Sequence, residues 1–178
     1  MDVFKHISVV LGDITTMDVD AIVNAAAPAL LGGGGVDGAI HRAAGPGLLQ
    51  ECRKFGGCNH GEARITAGYN LKARHVIHTP GPIYRGGQFG ESQILKNSYR
   101  NSMLLAKEHG IKSIAFPAIS AGVYGYPKPE ACQIAITTVV DFMKVQQFFI
   151  DVVFVLFDQE NYQLYVDYLA SLKAIPVQ

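Results

Sequence analysis

Cysteine is scarce: three residues in 178 do not build a disulfide framework. Neither sign of charge prevails, because 15 Lys and Arg stand against 15 Asp and Glu. That balance excludes a strongly basic nucleic-acid domain as the first reading and leaves only a local patch. No run of about 18 apolar residues occurs, so no membrane-spanning helix is expected. Asp2, Lys5 and His6 interrupt the start, so a signal peptide is not expected and the cytoplasm is the expected compartment. There is no low-complexity tail, charge block, internal repeat or composition shift, so residues 1–178 read as a single domain. With 49% hydrophobic and 17% charged residues, the chain is globular rather than disordered. A chain of this length buries about 70% of its unfolded surface, enough for a real core.

Glycine, by contrast, is abundant, and its 19 residues are clustered. Gly32–Gly35 and Gly38 lead to Gly45 and Gly47; Gly81, Gly86, Gly87 and Gly90 share a mid-chain loop; Gly110, Gly122 and Gly125 bracket an apolar run. Short runs rich in Val and Ile, closed by Gly, Pro, Asn or Asp, predict strands at Ile7–Leu11, Ala21–Val23, Ala63–Ala67, His75–His78, Ser113–Phe116 and Val152–Phe157. Apolar residues at helical spacing predict helices over Gln93–Glu108, Glu130–Met143 and Asn161–Leu172, with a short one over Val36–Ala44. Alternating strands and helices point to an α/β three-layer domain, and the continuous apolar strands to a sheet covered on both faces.

Ligands of open α/β sheets bind at the carboxyl ends of the strands. Three such ends carry unusual residues: Gly12-Asp13-Ile14, Asn24-Ala25-Ala26-Ala27 running into the glycines, and Pro117–Tyr126. Gly32, Gly33, Gly34 and Gly35 feed the helix that begins at Val36, where outward N–H groups and the helix dipole favour an anion. Without a Cβ, the backbone can approach phosphate oxygens closely. A mobile surface loop is the plainer alternative. The run is not a Walker motif, because no Gly-Lys-Ser/Thr follows, and it lacks the dinucleotide-binding context. Asp37 either complements the helix dipole or, beside a phosphate site, serves a sugar hydroxyl or an attacking water. His41, four residues on, shares its face and either supports the carboxylate or is a half-buried histidine. The segment Ser120, Ala121, Gly122, Val123, Tyr124, Gly125, Tyr126 repeats the logic, unless it is an ordinary strand-to-helix loop with Pro127 near N1. Two anion-receptive loops suggest a diphosphate clamped between them. Cys52, Cys58 and His60 form a loose cluster without zinc-ligand spacing, so no metal is expected. No G-x-S-x-G elbow is present, so a serine triad is not supported.

Together these residues resemble the macrodomains, a family of ADP-ribose-binding domains, nearly end to end. Val10–Thr15 is similar to the family's opening strand and acidic adenine contact. Asp20–Ala26, Leu31–Gly38 and Ala39–Gly45 resemble the MacroD-like hydrolytic subclass, and Phe116–Pro127 its second phosphate loop. The resemblance implies a macrodomain fold, a mixed six-stranded sheet between helices, with ADP-ribose lying across the strand ends. Asp13 and Ile14 would take the adenine. Gly33, Gly34, Gly35, Val36 and Asp37, with Ser120–Tyr124, would hold the diphosphate and distal ribose, and Tyr126 would pack nearby. Relatives hydrolyse O-acetyl-ADP-ribose and remove mono-ADP-ribose from acidic protein side chains, so those molecules are the implied partners. The implied catalytic group comprises Asp37, Asn24, position 27 and His41. Asp37 and a phosphate oxygen would hold the attacking water, with no metal or other cofactor.

The chain departs from the family in one place that bears on activity. The pattern Asn-Ala-Ala-Asn is here Asn24-Ala25-Ala26-Ala27, and the missing amide would hydrogen-bond the distal ribose. Losing such a contact costs about 0.5–1.5 kcal/mol of binding. The loop also reads Ser120-Ala121-Gly122 where relatives often have Ser-Thr-Gly, a change that a backbone contact survives. Three functions compete: an ADP-ribosyl ester hydrolase weakened at Ala27, a reader that binds ADP-ribose without turnover, and a regulator that binds RNA or protein along the cleft. Asp37 with His41 favours the first and Ala27 the second. Zero net charge disfavours strong RNA binding, so no RNA-processing partner is indicated.

Overall fold

A computed structural model describes residues 2–175. Its strands are β1 (Ile7–Leu11), β2 (Ala21–Ala25), β3 (Arg64–Ala67), β4 (His75–Thr79), β5 (Ser113–Phe116) and β6 (Asp151–Leu156). Its helices are α1 (Gly35–Ala44), α2 (Pro46–Arg53), α3 (Glu91–Glu108), α4 (Lys128–Gln146) and α5 (Gln159–Lys173). The sheet order is β1-β6-β5-β2-β4-β3. All pairings are parallel except that of β3 with β4, so the sheet is mixed, as expected.

Strand residues divide by parity between two cores, which explains why the strands read as unbroken apolar runs. Ala21, Val23, Ile77, Ile114, Phe116, Val152 and Phe154 pack with α3, α4 and α5. Ile22, Val76, Ala115, Val153 and Val155 pack with Ile40, Ala44, Leu48 and Cys52 of α1 and α2. An aromatic series runs through the first core, with ring centroids 5.4 Å apart for Tyr99 and Phe116, 5.8 Å for Phe116 and Phe154, and 5.3 Å for Phe154 and Tyr165.

The predicted elements all form, with altered ends. Helix α2 was not predicted; it is only 8 residues long and buries Leu48 and Cys52, too short a pattern to show a period. Gly45, at φ 84°, turns the chain between α1 and α2, and Pro46 opens the new helix. Pro127 caps α4 instead of standing at N1, with Pro129 inside the first turn. Strand β6 stops at Leu156, which leaves Phe157 outside the sheet.

Two interior side chains hold the loops at the carboxyl ends of the strands. The Tyr99 hydroxyl, fully buried, accepts the Ile119 N–H at 3.1 Å and donates to the Pro117 carbonyl at 3.3 Å. The Glu91 carboxylate, 2% exposed at the start of α3, accepts the N–H groups of Arg85, Gly87 and Phe89 at 2.9, 2.8 and 2.6 Å. Burial pushes the Glu91 carboxyl up, but those donors outweigh it and hold it at about 2 against an ordinary 4.5. A carboxyl lowered in the folded state stabilises above its unfolded pKa and loses that contribution as pH falls through the folded value. Glu91→Gln is therefore expected to destabilise the protein at pH 7 and to differ progressively less from the parent as pH falls from about 4.5 to about 2. Urea denaturation of both proteins across that range checks this; a difference that does not change with pH contradicts it.

Candidate active site

The parallel strands bring their carboxyl ends to one edge in the spatial order β1, β6, β5, β2, β4. Beyond β1, the Gly12 N–H donates to the Leu156 carbonyl at 2.8 Å. The next residue, Asp13, is exposed and turns the chain: its Oδ1 accepts the Thr15 N–H at 2.9 Å and the Thr15 hydroxyl at 2.7 Å. Oδ2 is not used by the turn. Ile14 is buried and offers only its backbone. Beside them, beyond β6, Phe157 leaves 81% of its surface exposed. Sequence reading assigned Phe157 to the strand, and only the end of β6 leaves it exposed, directly before the helix-capping Asp158.

Between β2 and α1 the chain runs through Leu31 and the glycines. Gly38 sits where a Cβ would collide with the Gly33 carbonyl, so the loop folds back on the first turn of α1. A Cβ on Gly33 would lie 3.3 Å from Asp37 Oδ2, whereas one on Gly34 or Gly35 would meet nothing within 4 Å. Gly35 has φ +57°, which explains its identity through the backbone; Gly34 has φ −90°, which does not. The N–H groups of residues 32–37 donate to no protein acceptor among the described residues, as expected of a loop entering a helix N-terminus.

Asp37 is buried, 4% exposed, in that first turn. Its Oδ1 accepts from Asn24 Nδ2 at 2.9 Å, and its Oδ2 accepts the Ala27 N–H at 3.1 Å. His41 Nε2 lies 3.5 Å from Oδ1. The structure thus gathers Asn24, Ala27, Asp37 and His41 around one carboxylate, and position 27 contributes its backbone whatever its side chain. The half-buried Ala27 adds no polar group of its own.

The loop after β5 is fastened from beneath. Ser120, 6% exposed at φ 64°, donates its hydroxyl to the Pro82 carbonyl at 2.7 Å. Gly81 is pressed against Ser120 and Ile119 so closely that a Cβ there would clash with both. Tyr126 N–H donates to Ser120 O at 2.9 Å, Gly125 N–H to Gly122 O at 2.9 Å, and Tyr84 N–H to Tyr124 O at 2.9 Å. Ala121 is also buried, and its N–H is taken by the Ala118 carbonyl at 3.4 Å. Tyr126 is 2% exposed and packs on Tyr84, ring centroids 4.9 Å apart; burial pushes its hydroxyl up to about 12. It supports the loop from inside. The N–H groups of Gly122, Val123 and Tyr124 have no acceptor among the described residues, and Val123 is fully exposed. Gly122 has open space where its Cβ would be and no positive φ.

The loose Cys52, Cys58 and His60 grouping does not hold. His60 Nδ1 pairs with the Gly81 carbonyl at 2.7 Å, and Cys58 Sγ points to the Asn59 carbonyl at 3.8 Å. Cys52 instead meets His78 and His41, with ligand-type atoms within 4.8 Å of one another. Burial pushes the Cys52 thiol up to about 11, which keeps it protonated.

The Macro domain family matches residues 23–135, which include both glycine loops and Asp37. A Macro domain-containing protein of Chlorobaculum tepidum is 53% identical over 165 residues, covering 93% of this chain and 96% of its own length. The O-acetyl-ADP-ribose deacetylase of Cronobacter sakazakii is 55% identical over 164 residues, covering 90% of this chain and 91% of its own. Among solved structures, a Trypanosoma brucei macrodomain in complex with ADP-ribose superposes with a TM-score of 0.88 at 43% identity, over 94% of this chain and 71% of that one.

Glycines with different reasons for being glycine should respond differently to a methyl group. Gly38→Ala is expected to cost about 1–3 kcal/mol through overpacking against the Gly33 carbonyl. Gly122→Ala should stay within about 0.5 kcal/mol of the parent, since nothing occupies that space. Urea unfolding of the two variants measures this, and equal losses would contradict the assignment.

Proposed function

Because this chain belongs to the Macro domain family, we propose that it binds ADP-ribose across the carboxyl ends of its strands and hydrolyses O-acetyl-ADP-ribose. The observation that carries the proposal is the pair of unpaired N–H rows, at Gly33–Asp37 and Gly122–Tyr124, in the segments that follow the adjacent strands β2 and β5. Gly34 and Gly122 have no need within the protein to lack a Cβ; a close-approaching anion supplies one. The diphosphate belongs between these rows. The ligand then extends over β5 and β6 toward β1, three strand intervals or roughly 14–15 Å from β2. There the unused Oδ2 of Asp13 accepts from an exocyclic amine, the Ile14 N–H meets a ring nitrogen, and Phe157 offers a flat face for stacking.

At the other end, the distal ribose reaches Asp37. No activated Ser or Cys is at hand, so water must be the nucleophile. Both Asp37 oxygens already accept one hydrogen bond, and each retains a second acceptor site. The missing Cβ of Gly33 leaves room beside Oδ2 for a water, with a phosphate oxygen as its second acceptor. That water adds to the ester carbonyl, the acyl C–O bond breaks, and the products are the carboxylic acid and the free sugar hydroxyl. Orientation contributes here together with proton acceptance. The same chemistry extends to ADP-ribosyl esters on acidic protein side chains, which we propose as further substrates. Ala27 leaves one ribose contact unmade, so we propose that turnover is slow while binding persists. A non-catalytic ADP-ribose reader is the second reading, and Ala27 is the observation that favours it.

Gly122→Glu is expected to abolish ADP-ribose binding, because an anionic side chain then occupies the phosphate position; unchanged affinity in calorimetry contradicts the placement. For catalysis, Ala27→Asn is expected to raise kcat on O-acetyl-ADP-ribose by up to about 100-fold, the scale of a 1 Å misplacement, with a smaller change in KM. Adding Asp37→Ala to that protein should remove the gain. If the Ala27→Asn protein releases no acetate, the reader function replaces the hydrolase.

A further inference from the structure

We infer that His78 is a positioning residue for the proposed hydrolysis: as a neutral imidazole with its hydrogen on Nε2, it fixes the facing of the Asn24 amide and thereby the setting of Asp37. The inference deepens the hydrolytic reading above and rests on it. His78 and Asn24 are Cα partners on adjacent strands β4 and β2, and both are fully buried. Asn24 Nδ2 lies 2.9 Å from Asp37 Oδ1 and 3.1 Å from His78 Nδ1. His78 Nε2 lies 3.0 Å from Thr66 Oγ1, with Cys52 Sγ at 3.7 Å.

These distances admit one ordering of hydrogens. The Asn24 amide donates from Nδ2 to Asp37 Oδ1, so its NH2 is turned toward Asp37. One amide hydrogen serves Asp37 and the other faces His78, whose Nδ1 must therefore be an acceptor. The imidazole hydrogen is then on Nε2 and donates to Thr66 Oγ1, which passes its own hydrogen to the Ala67 carbonyl at 3.0 Å. The Asn24, His78 and Thr66 donors then each have an acceptor. A hydrogen on Nδ1 instead would oppose the amide NH2, or flip the amide and set its oxygen against the Asp37 carboxylate.

Nothing else holds the amide. Asn24 Oδ1 is buried and has no partner among the described residues, so the two contacts of Nδ2 alone decide its orientation. Charge on His78 is opposed as well: burial, with His41 nearby at 6.3 Å between ring centroids, holds its pKa down to about 3. The ring therefore remains an acceptor toward Asn24 at neutral pH.

Two replacements separate this role from space filling. The side-chain amide of Asn reaches about as far as Nδ1 of histidine, and that of Gln about as far as Nε2. His78→Asn can offer its oxygen to Asn24; His78→Gln keeps the reach to Thr66 and loses the acceptor that Asn24 needs. Both are made in the Ala27→Asn protein and assayed for acetate release and for ADP-ribose affinity. His78→Gln is expected to lose about 100-fold in kcat with little change in KM, and His78→Asn to recover most of that loss. A purely structural role predicts the reverse, because Asn leaves the larger void. The tautomer is read directly, without activity, from long-range proton–nitrogen correlations of the histidine rings in the unmodified protein, where Nε2–H is expected from pH 5 to 8. An Nδ1–H ring, an imidazolium in that range, or equal loss in both variants overturns the role of His78. If the unmodified protein carries the Nε2–H ring and the Ala27→Asn protein releases no acetate, the hydrolytic reading fails, and the His78 assignment as a positioning residue for hydrolysis fails with it.

Discussion

One buried carboxylate ties the site together. Asp37 has its two oxygens satisfied by groups from β2 and the loop beyond it, the Asn24 amide and the Ala27 N–H. Leaving such a group unpaired in the interior costs several kcal/mol, so α1 must dock where those donors are. Docking α1 there brings the glycine loop over the strand ends, with Gly38 against the Gly33 carbonyl and the N–H groups of residues 32–37 unpaired among the described residues. The carboxylate itself is held beneath that loop by the protein's own donors.

The second loop depends on a different economy of contacts. Here the polar groups that look available in sequence are consumed inside: the Ser120 hydroxyl on Pro82, the Ala121 N–H on Ala118, and the Tyr126 ring on Tyr84. Tyr99 reaches up from α3 to fix Pro117 and Ile119, and Glu91 at the head of that helix gathers the neighbouring loop at Arg85, Gly87 and Phe89. What remains for a ligand is backbone, presented on rigid supports. In the proposed function, backbone donors held this way need no reorganisation when an anion arrives.

Much of this was legible along the chain. Apolar runs of strand length, helical periods and the glycine clusters are local patterns, and they placed the elements and three of the strand-end loops. Asp37 and His41 stood out because four residues of helix put them on one face. The cysteine grouping failed because nearness in sequence stood in for nearness in space: Cys52 pairs with His78, 26 residues away, and Cys58 turns elsewhere. Phe157 was read as strand because its apolar character extends the run, and only the end of the ladder at Leu156 leaves it exposed.

The sequence by itself determined the alternation of elements, the backbone freedom at the strand ends and the presence of Asp13 and Asp37 beside them, because each is written in consecutive residues. The tertiary structure alone decided which side chains those residues meet. Asn24 and His78 are 54 residues apart, and Ser120 and Pro82 are 38 apart. Such pairs come together only when strands distant in sequence take neighbouring places in the sheet, β2 beside β4 for the first pair and β5 and β4 on either side of β2 for the second, and that strand order is set by packing on both faces rather than by any local pattern.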